Sequence, residues 1–190
     1  CKVLREADDA VLPFDFKKMD RKINKYEREV RRNVLTHLTI AGTQNLVPGL
    51  VLVSIVIDVE RIGDYTKNIA GLAKLHERRL KGGIHEKDLK DIETAIEGHF
   101  CTVIEVLKTQ DKKTARSVLR MEEEIGKKTE AIVDDTVLEK DDSLTKGDAV
   151  CLAMYARHLK RINAHLANIA SSIDNPFPRI GFREKKKNKK

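Results

Sequence analysis

The sequence predicts an all-α protein in which two tandem three-helix bundle repeats form one elongated six-helix body. Its composition, with 35% charged residues, 4% aromatic residues and four prolines, is typical of long amphipathic helices and unlike that of a β-sandwich. Apolar residues recur three or four positions apart over several long stretches, which is the helical period. The chain also repeats itself. Five pairs of identical residues lie 100 positions apart, namely Arg61/Arg161, Ile62/Ile162, Asn68/Asn168, Ile69/Ile169 and Ala70/Ala170.

The first predicted unit spans residues 1–81. Residues 1–12 have a helical composition without an amino-terminal cap, and we expect them to be the truncated end of a longer first helix that stops at Pro13. A second helix is predicted from Asp15 to about Ile40. Its apolar positions are Phe16, Met19, Ile23, Tyr26, Val30 and Val34.

A short turn and a third helix complete this unit. Gly42 and Asn45 predict a turn over residues 41–45, and the third helix is expected over residues 46–76, because Pro48 is tolerated in a first helical turn. The Gly82–Gly83 pair then predicts the boundary between the two units.

The second unit is predicted over residues 84–175, with helices at about 86–109, 114–138 and 144–173. A basic tail, residues 176–190, follows it. Residues 183–190 contain six basic residues and one acidic residue, so they supply five of the seven net positive charges of the chain. The remaining 182 residues carry only two, which is unlike a nucleic-acid-binding fold, and we expect a solvated tail.

Cysteine usage and hydropathy predict a cytoplasmic protein. Cys1, Cys101 and Cys151 form no CxxC motif, so we interpret them as buried or free thiols, with Cys101 and Cys151 in the core. The longest apolar run, residues 46–57, has about 12 residues where a bilayer span needs roughly 20.

A stripe of oxygen-bearing side chains lies on the predicted third helix. Glu60, Asp64 and Asn68 are four residues apart and so lie one above the other on the same face. Asp58 is about 200° away from Glu60 around the helix and belongs to another part of the surface.

A matching set lies on the predicted second helix, where Asp20, Asn24 and Glu27 share one face. If the two faces meet, their carboxylate and amide oxygens form a site for Mg²⁺, Ca²⁺ or Mn²⁺, or for iron bridged by carboxylates. The alternative is a solvated face without metal, with ion pairs to basic neighbours. Those neighbours are Arg21, Arg28, Arg31, Arg61 and Lys67.

The second unit does not repeat this pattern. The positions equivalent to Glu60 and Asp64 hold Lys160 and Ala164. Any metal site of this kind is therefore expected in the first unit only. His158 and His165 are seven residues apart on the last helix without neighbouring carboxylates, and we interpret both as surface or partner contacts.

Two motifs resemble those of the PhoU family. They are D-x-x-I-N-x-Y-E-x-E-V at residues 20–30 and DVERIGDYTKNIA at residues 58–70, and the resemblance extends over about residues 3–175. It implies a tandem three-helix fold whose acidic E(D)xxxD motifs hold multinuclear metal clusters, with Fe, Zn, Mg, Mn or Ca as candidate ions. By this resemblance the metal ligands are Asp20, Asn24, Glu27, Glu60 and Asp64, with Asp58 and Asn68 as supporting residues. The chain departs from the pattern at Asn24, where the family usually has an acid.

The resemblance also implies a function. PhoU proteins are regulators that restrain the high-affinity phosphate ABC transporter and help a phosphate-sensing histidine kinase to keep the phosphate regulon off. The expected partners are therefore phosphate transporter components or that kinase, and we expect a homodimer that reaches the membrane only through its partners and binds no nucleic acid.

Two alternatives to this function are open. One is a metal-free helical interaction module linked to a sodium–phosphate cotransporter. The other is a metal-dependent hydrolase or oxidase, which we favour less because the chain has no His at the spacing of the di-iron Glu-x-x-His motif and no nucleophile–base pair.

Overall fold

Six α-helices account for most of the chain in the computed structural model, which describes residues 2–6, 15–76 and 78–182. In chain order they are α1 (Lys2–Arg5), α2 (Phe16–Ala41), α3 (Leu46–Leu75), α4 (Glu86–Thr109), α5 (Lys112–Val137) and α6 (Lys146–Asp174). Short 3₁₀ turns lie at Gly42–Asn45, Gly83–His85 and Phe177–Arg179, and these described residues include no strand. The all-α prediction is confirmed, and α2 to α6 begin and end within about three residues of the predicted bounds. The predictions for Pro13 and for the basic tail from residue 183 onward fall outside the described residues.

Side-chain caps explain where three of the helices begin. Asp15 accepts a hydrogen bond from the backbone N–H of Lys18 at the start of α2, and Asp111 caps α5 in the same way. Thr145 and Asp148 form a capping box at the start of α6, in which each side chain bonds to the other residue's backbone N–H. Short polar side chains at these positions satisfy amide groups that have no partner within the helix.

The buried core is centred on α6, which packs against α3, α4 and α5. Thirteen residues of α6 are buried, whereas α2 has none. The second unit therefore has a filled interior, and the hairpin of α2 and α3 lies along one side of it.

Equivalent positions in the two repeats differ sharply in exposure. Leu152 and Leu159 on α6 are 0% exposed, but Leu52 and Val59, which lie 100 residues earlier on α3, are 44% and 46% exposed. The reason is that α4 packs along α5 and α6, whereas the part of α1 that the structure describes, Lys2–Arg5, lies against the carboxyl-terminal half of α3.

The hairpin of α2 and α3 contains an apolar stretch that is not buried. Within Phe16–Leu75, one 18-residue window is apolar enough to cross a membrane by length and composition alone, and none of that window is buried. A core helix of a soluble protein passes the same test, so composition does not identify what lies against this stretch.

Two predictions about individual side chains are wrong. Cys101 is exposed, because His99, Val103 and Val106 form the buried side of α4 and Cys101 is about 200° from His99 around the helix. His165 is buried rather than on the surface, because its side of α6 packs against α3.

The junction between the two units is held by charged contacts. His76 Nε2 lies 2.8 Å from Asp148 Oδ1, and Arg78 donates to Asp148 Oδ2 at 2.9 Å. Burial by itself raises the pKa of Asp148, but hydrogen bonds from Thr145 and His76 outweigh it and lower the pKa to about 2. The carboxylate is therefore charged across the physiological pH range.

Glycine is required at residue 83 in this junction. Its φ of 55° lies in the left-handed region, and a Cβ there would be 1.8 Å from Asp141 Oδ2. Asp141 in turn accepts the backbone N–H of Ile84 at 2.8 Å. The predicted boundary is thus a tight connection whose backbone approaches the start of the last helix.

Candidate functional site

The five predicted metal ligands lie on α2 and α3, which pack closely together. Gly63 permits this approach, since a Cβ at that position would be 2.8 Å from Ile23 Cδ1. We call Asp20, Asn24, Glu27, Glu60 and Asp64 the carboxylate groove. All five are partly buried, which is consistent with their position along the seam between the two helices.

A lysine joins the two helices in this groove. Lys67 Nζ on α3 donates to Asp20 Oδ1 on α2 and to Asp64 Oδ1 on α3, at 2.8 Å in both cases. These bonds raise the pKa of Lys67, and the bond to Lys67 is the main cause of the lowered pKa of Asp64. The ammonium group therefore occupies the position between the carboxylates where a bridging cation would bind.

The other two carboxylates also have basic neighbours. Glu27 pairs with Arg31 at 2.8 Å, and Glu60 lies 3.6 Å from Arg61, which is equally far from Asp64. The pKa of Glu60 is raised, first by burial and then by the negative charge of Asp64.

These pairs agree with the ion-paired alternative for the groove. Among residues 2–6, 15–76 and 78–182, no group of three or more His, Cys, Asp or Glu side chains is arranged to hold a metal ion.

The two predicted supporting residues lie elsewhere. Asn68 is exposed one turn beyond Asp64. Asp58 lies on the opposite side of α3, where its Oδ1 accepts hydrogen bonds from His165 Nδ1 at 2.7 Å and from Asn168 Nδ2 at 3.0 Å. Asp58 therefore connects the first repeat to α6 and does not support the groove.

Asp58 and His165 belong to a polar junction between α3 and α6. The ring of Tyr65 lies 5.7 Å from the rings of both His158 and His165, and Arg161 Nε donates to the Tyr65 hydroxyl at 3.1 Å. Burial lowers the pKa of His158, so this imidazole tends to be neutral. Helix geometry placed Asp58 apart from Glu60, Asp64 and Asn68. Nothing in the sequence indicated that Asp58 pairs with His165, which lies 107 positions later.

The second repeat has a pocket of about 320 Å³ between α5 and α6. Lys160, at the position of Glu60, forms an ion pair with Glu130 across this pocket. The lining side chains are Thr129, Glu130, Val133, Asp134, Arg157 and Lys160. The two acidic side chains, Glu130 and Asp134, are balanced in charge by Arg157 and Lys160. This pocket therefore lacks the excess of carboxylates found among the residues of the carboxylate groove.

Comparison with known proteins identifies the family. The model of the PhoU domain matches residues 2–73 and again residues 89–173, one match for each repeat. No match was found among curated proteins or among solved structures. Together the two matched segments cover most of the chain and coincide with the two halves of the fold, so this protein belongs to the PhoU family.

Proposed function

We propose that this chain regulates phosphate uptake and phosphate-responsive signalling by docking on other proteins, without catalysis of its own. The observation that carries the proposal is the match of both repeats to the PhoU domain, a regulatory family of phosphate transport. The proposed setting is the cytoplasm, where a homodimer binds phosphate transporter components or a phosphate-sensing histidine kinase and reaches the membrane through them.

The proposal is tested in bacterial cells that lack their own phosphate-uptake regulator. Expression of the chain should restore repression of a phosphate-starvation promoter in phosphate-rich medium, because the docked regulator keeps the regulon off. Reporter activity that stays at the level of the empty vector, with the protein folded and expressed, would contradict the proposal.

A second candidate is a metal-free module that acts on a sodium–phosphate cotransporter, and the lysine in the groove supports the metal-free part of it. Lys67 already bridges Asp20 and Asp64, so these two carboxylates are joined across the helices without a metal ion. Under this alternative, chelators leave partner binding unchanged and phosphate uptake responds only when the cotransporter is present. A hydrolase or oxidase would instead turn over phosphoesters or oxygen.

We also propose that a divalent cation or iron competes with Lys67 in the carboxylate groove. The oxygen donors suit hard cations, but the site fits one only if Lys67 leaves Asp20 and Asp64. Glu27, Asn24 and Glu60 would help to hold such an ion. The ion would offset the negative charge of the carboxylates and join α2 to α3.

The variant Lys67→Met should bind metal about tenfold more tightly than the wild type, a change of roughly 1.4 kcal/mol, because its carboxylates lose their bridging ammonium group. Isothermal titration calorimetry with Mg, Mn, Ca, Zn or Fe measures this affinity, and elemental analysis by mass spectrometry measures the metal content after loading. Lys74→Met, an exposed change on the same helix, is the matched control.

Adding the substitutions Glu60→Ala and Asp64→Ala to the Lys67→Met variant should abolish its metal binding. No metal in either Lys67→Met or Lys74→Met would show that the groove is an ion-paired surface, and equal metal affinity in the two variants would show that Lys67 does not compete with the ion.

A further inference from the structure

The side of α2 that faces away from α3 is strongly basic. Ile23 packs against Gly63 of α3, and Arg32, nine residues later, lies about 180° from Ile23 around the helix. Basic side chains cover about 140° of the helix circumference on this outer side, and all of them are exposed. We call them the basic stripe, and its members are Lys17, Lys18, Arg21, Lys22, Lys25, Arg28 and Arg32.

Acidic side chains neutralise little of the basic stripe. Glu29 is the acidic residue on this side of α2, and it lies 3.6 Å from Lys25. In the part of the chain that the structure describes, the other members of the stripe form no ion pair. Lys22 lies over the ring of Tyr26 at 5.7 Å, and Arg28 donates to a backbone carbonyl of its own helix. Most of the positive charge of the stripe is therefore left for an external anion.

This charge belongs to α2 and is not spread over the whole chain. α2 carries eight basic and three acidic side chains, an excess of five positive charges, and residues 183–190 carry another five. Because the whole chain has a net charge of +7, the remaining residues are net negative. An anionic surface would therefore attract α2 more strongly than the rest of the helical body and would orient the molecule.

Exposed apolar side chains continue the stripe towards the end of α2. Leu35 lies seven residues after Arg28 and so shares a side of the helix with it. Ile40 lies 18 residues, or about five full turns, after Lys22. Leu35 and Ile40 are 66% and 83% exposed. A nucleic acid offers these aliphatic groups no apolar partner, whereas the interface of a lipid bilayer accepts basic and aliphatic side chains together.

The shape of the stripe also favours a bilayer. It runs along one helix for about 22 Å, from residue 17 to residue 32. A single convex helix has no walls that could enclose a peptide, but a flat layer of lipid headgroups can contact its full length. Clusters of about four to eight basic residues on a helix are typical of binding to anionic lipids.

We infer that the basic stripe is a docking surface for an anionic lipid bilayer. The Lys and Arg side chains pair with lipid phosphates, and Leu35 and Ile40 insert between the headgroups. This direct contact goes beyond the proposed function, in which partner proteins bring the regulator to the membrane, and it does not depend on the identity of the partner.

The test is cosedimentation of the full chain with vesicles made of equal parts of phosphatidylglycerol and phosphatidylcholine. The chain should bind these vesicles but not vesicles of phosphatidylcholine alone, and binding should fall as the salt concentration rises. The triple variant Arg21→Gln, Arg28→Gln, Arg32→Gln should weaken binding at least about tenfold, because each basic side chain near an anionic surface adds to the attraction.

The matched control is Lys87→Gln, Lys90→Gln, Lys108→Gln, which removes the same charge from exposed residues of α4. It should bind the anionic vesicles nearly as well as the wild type. Both triple variants keep residues 183–190, so the difference between them measures the stripe and not the basic tail. Circular dichroism and melting curves confirm that each variant is folded, as expected for substitutions at exposed residues.

A second pair of variants tests the apolar contact. Leu35→Ser, Ile40→Ser should weaken binding to the anionic vesicles several-fold, because less apolar surface enters the interface. The control Leu138→Ser, Val150→Ser, at residues 63% and 61% exposed, should bind as the wild type does.

Several outcomes would overturn the inference. They are equal binding to the two kinds of vesicle, equal weakening in the stripe variant and its α4 control, release from the vesicles by inorganic phosphate beyond that caused by chloride at the same ionic strength, or tighter binding of the stripe to duplex DNA or polyglutamate than to the vesicles. The vesicle and promoter experiments fail separately. Vesicle binding without promoter repression would keep this inference and reject the regulatory function, and repression without vesicle binding would do the reverse.

Discussion

Leu159→Ala should lower the free energy of unfolding by about 3 kcal/mol, whereas Val59→Ala should change it by less than about 0.5 kcal/mol. The two positions are equivalent in the repeats, but the Leu159 side chain is fully buried and Val59 is about half exposed. Leu159→Ala removes Cγ and both Cδ methyl groups from the core, which loses apolar burial and leaves a cavity, while truncation of a side chain at the surface loses little.

Urea denaturation followed by circular dichroism measures both changes, with the m-value checked for constancy. Since Leu is larger than Val, Leu52→Ala serves as the control of equal size at an exposed position. A loss of about 2 kcal/mol or more in Leu52→Ala or Val59→Ala would contradict the exposure of these two side chains and would mean that this side of α3 is covered in the isolated protein.

Arg5→Ala should destabilise the fold by about 2 to 3 kcal/mol, because it removes the buried partner of an ionic cluster whose two carboxylates are partly exposed. Arg5 is 6% exposed and donates to Glu93 at 3.0 Å and to Glu86 at 2.7 Å, as well as to the carbonyl of Leu80. Glu93 also accepts the hydroxyl of Tyr155 at 2.6 Å. Without the guanidinium group, the carboxylate of Glu93 stays close to the core without a compensating charge.

The control for this prediction is Arg79→Ala, at a half-exposed arginine 3.4 Å from Glu86. Exposed pairs of this kind contribute about 1 kcal/mol or less, so the melting temperature should fall far less than in Arg5→Ala. Similar losses in the two variants would show that Arg5 acts as an ordinary surface residue and that α1 is not anchored through it.

Local sequence patterns were sufficient for most of the fold. The three-to-four spacing of apolar residues predicted α2 to α6, and the 100-residue repeat together with the ERIGD-x-x-x-NIA motif indicated the tandem organisation and the family. These signals are local or periodic, because helix formation depends on neighbouring residues and on one continuous apolar face.

The contacts between distant residues required the tertiary structure. Helix spacing alone did not show that Lys67 bridges Asp20 and Asp64, or that Asp58 bonds to His165. Nor did it show that Leu159 is buried while Val59 is open, since the two positions have similar side chains and the same repeat register. The physical reason is that a periodic pattern specifies which side of a helix is apolar, whereas the presence or absence of a neighbouring helix decides what that side contacts.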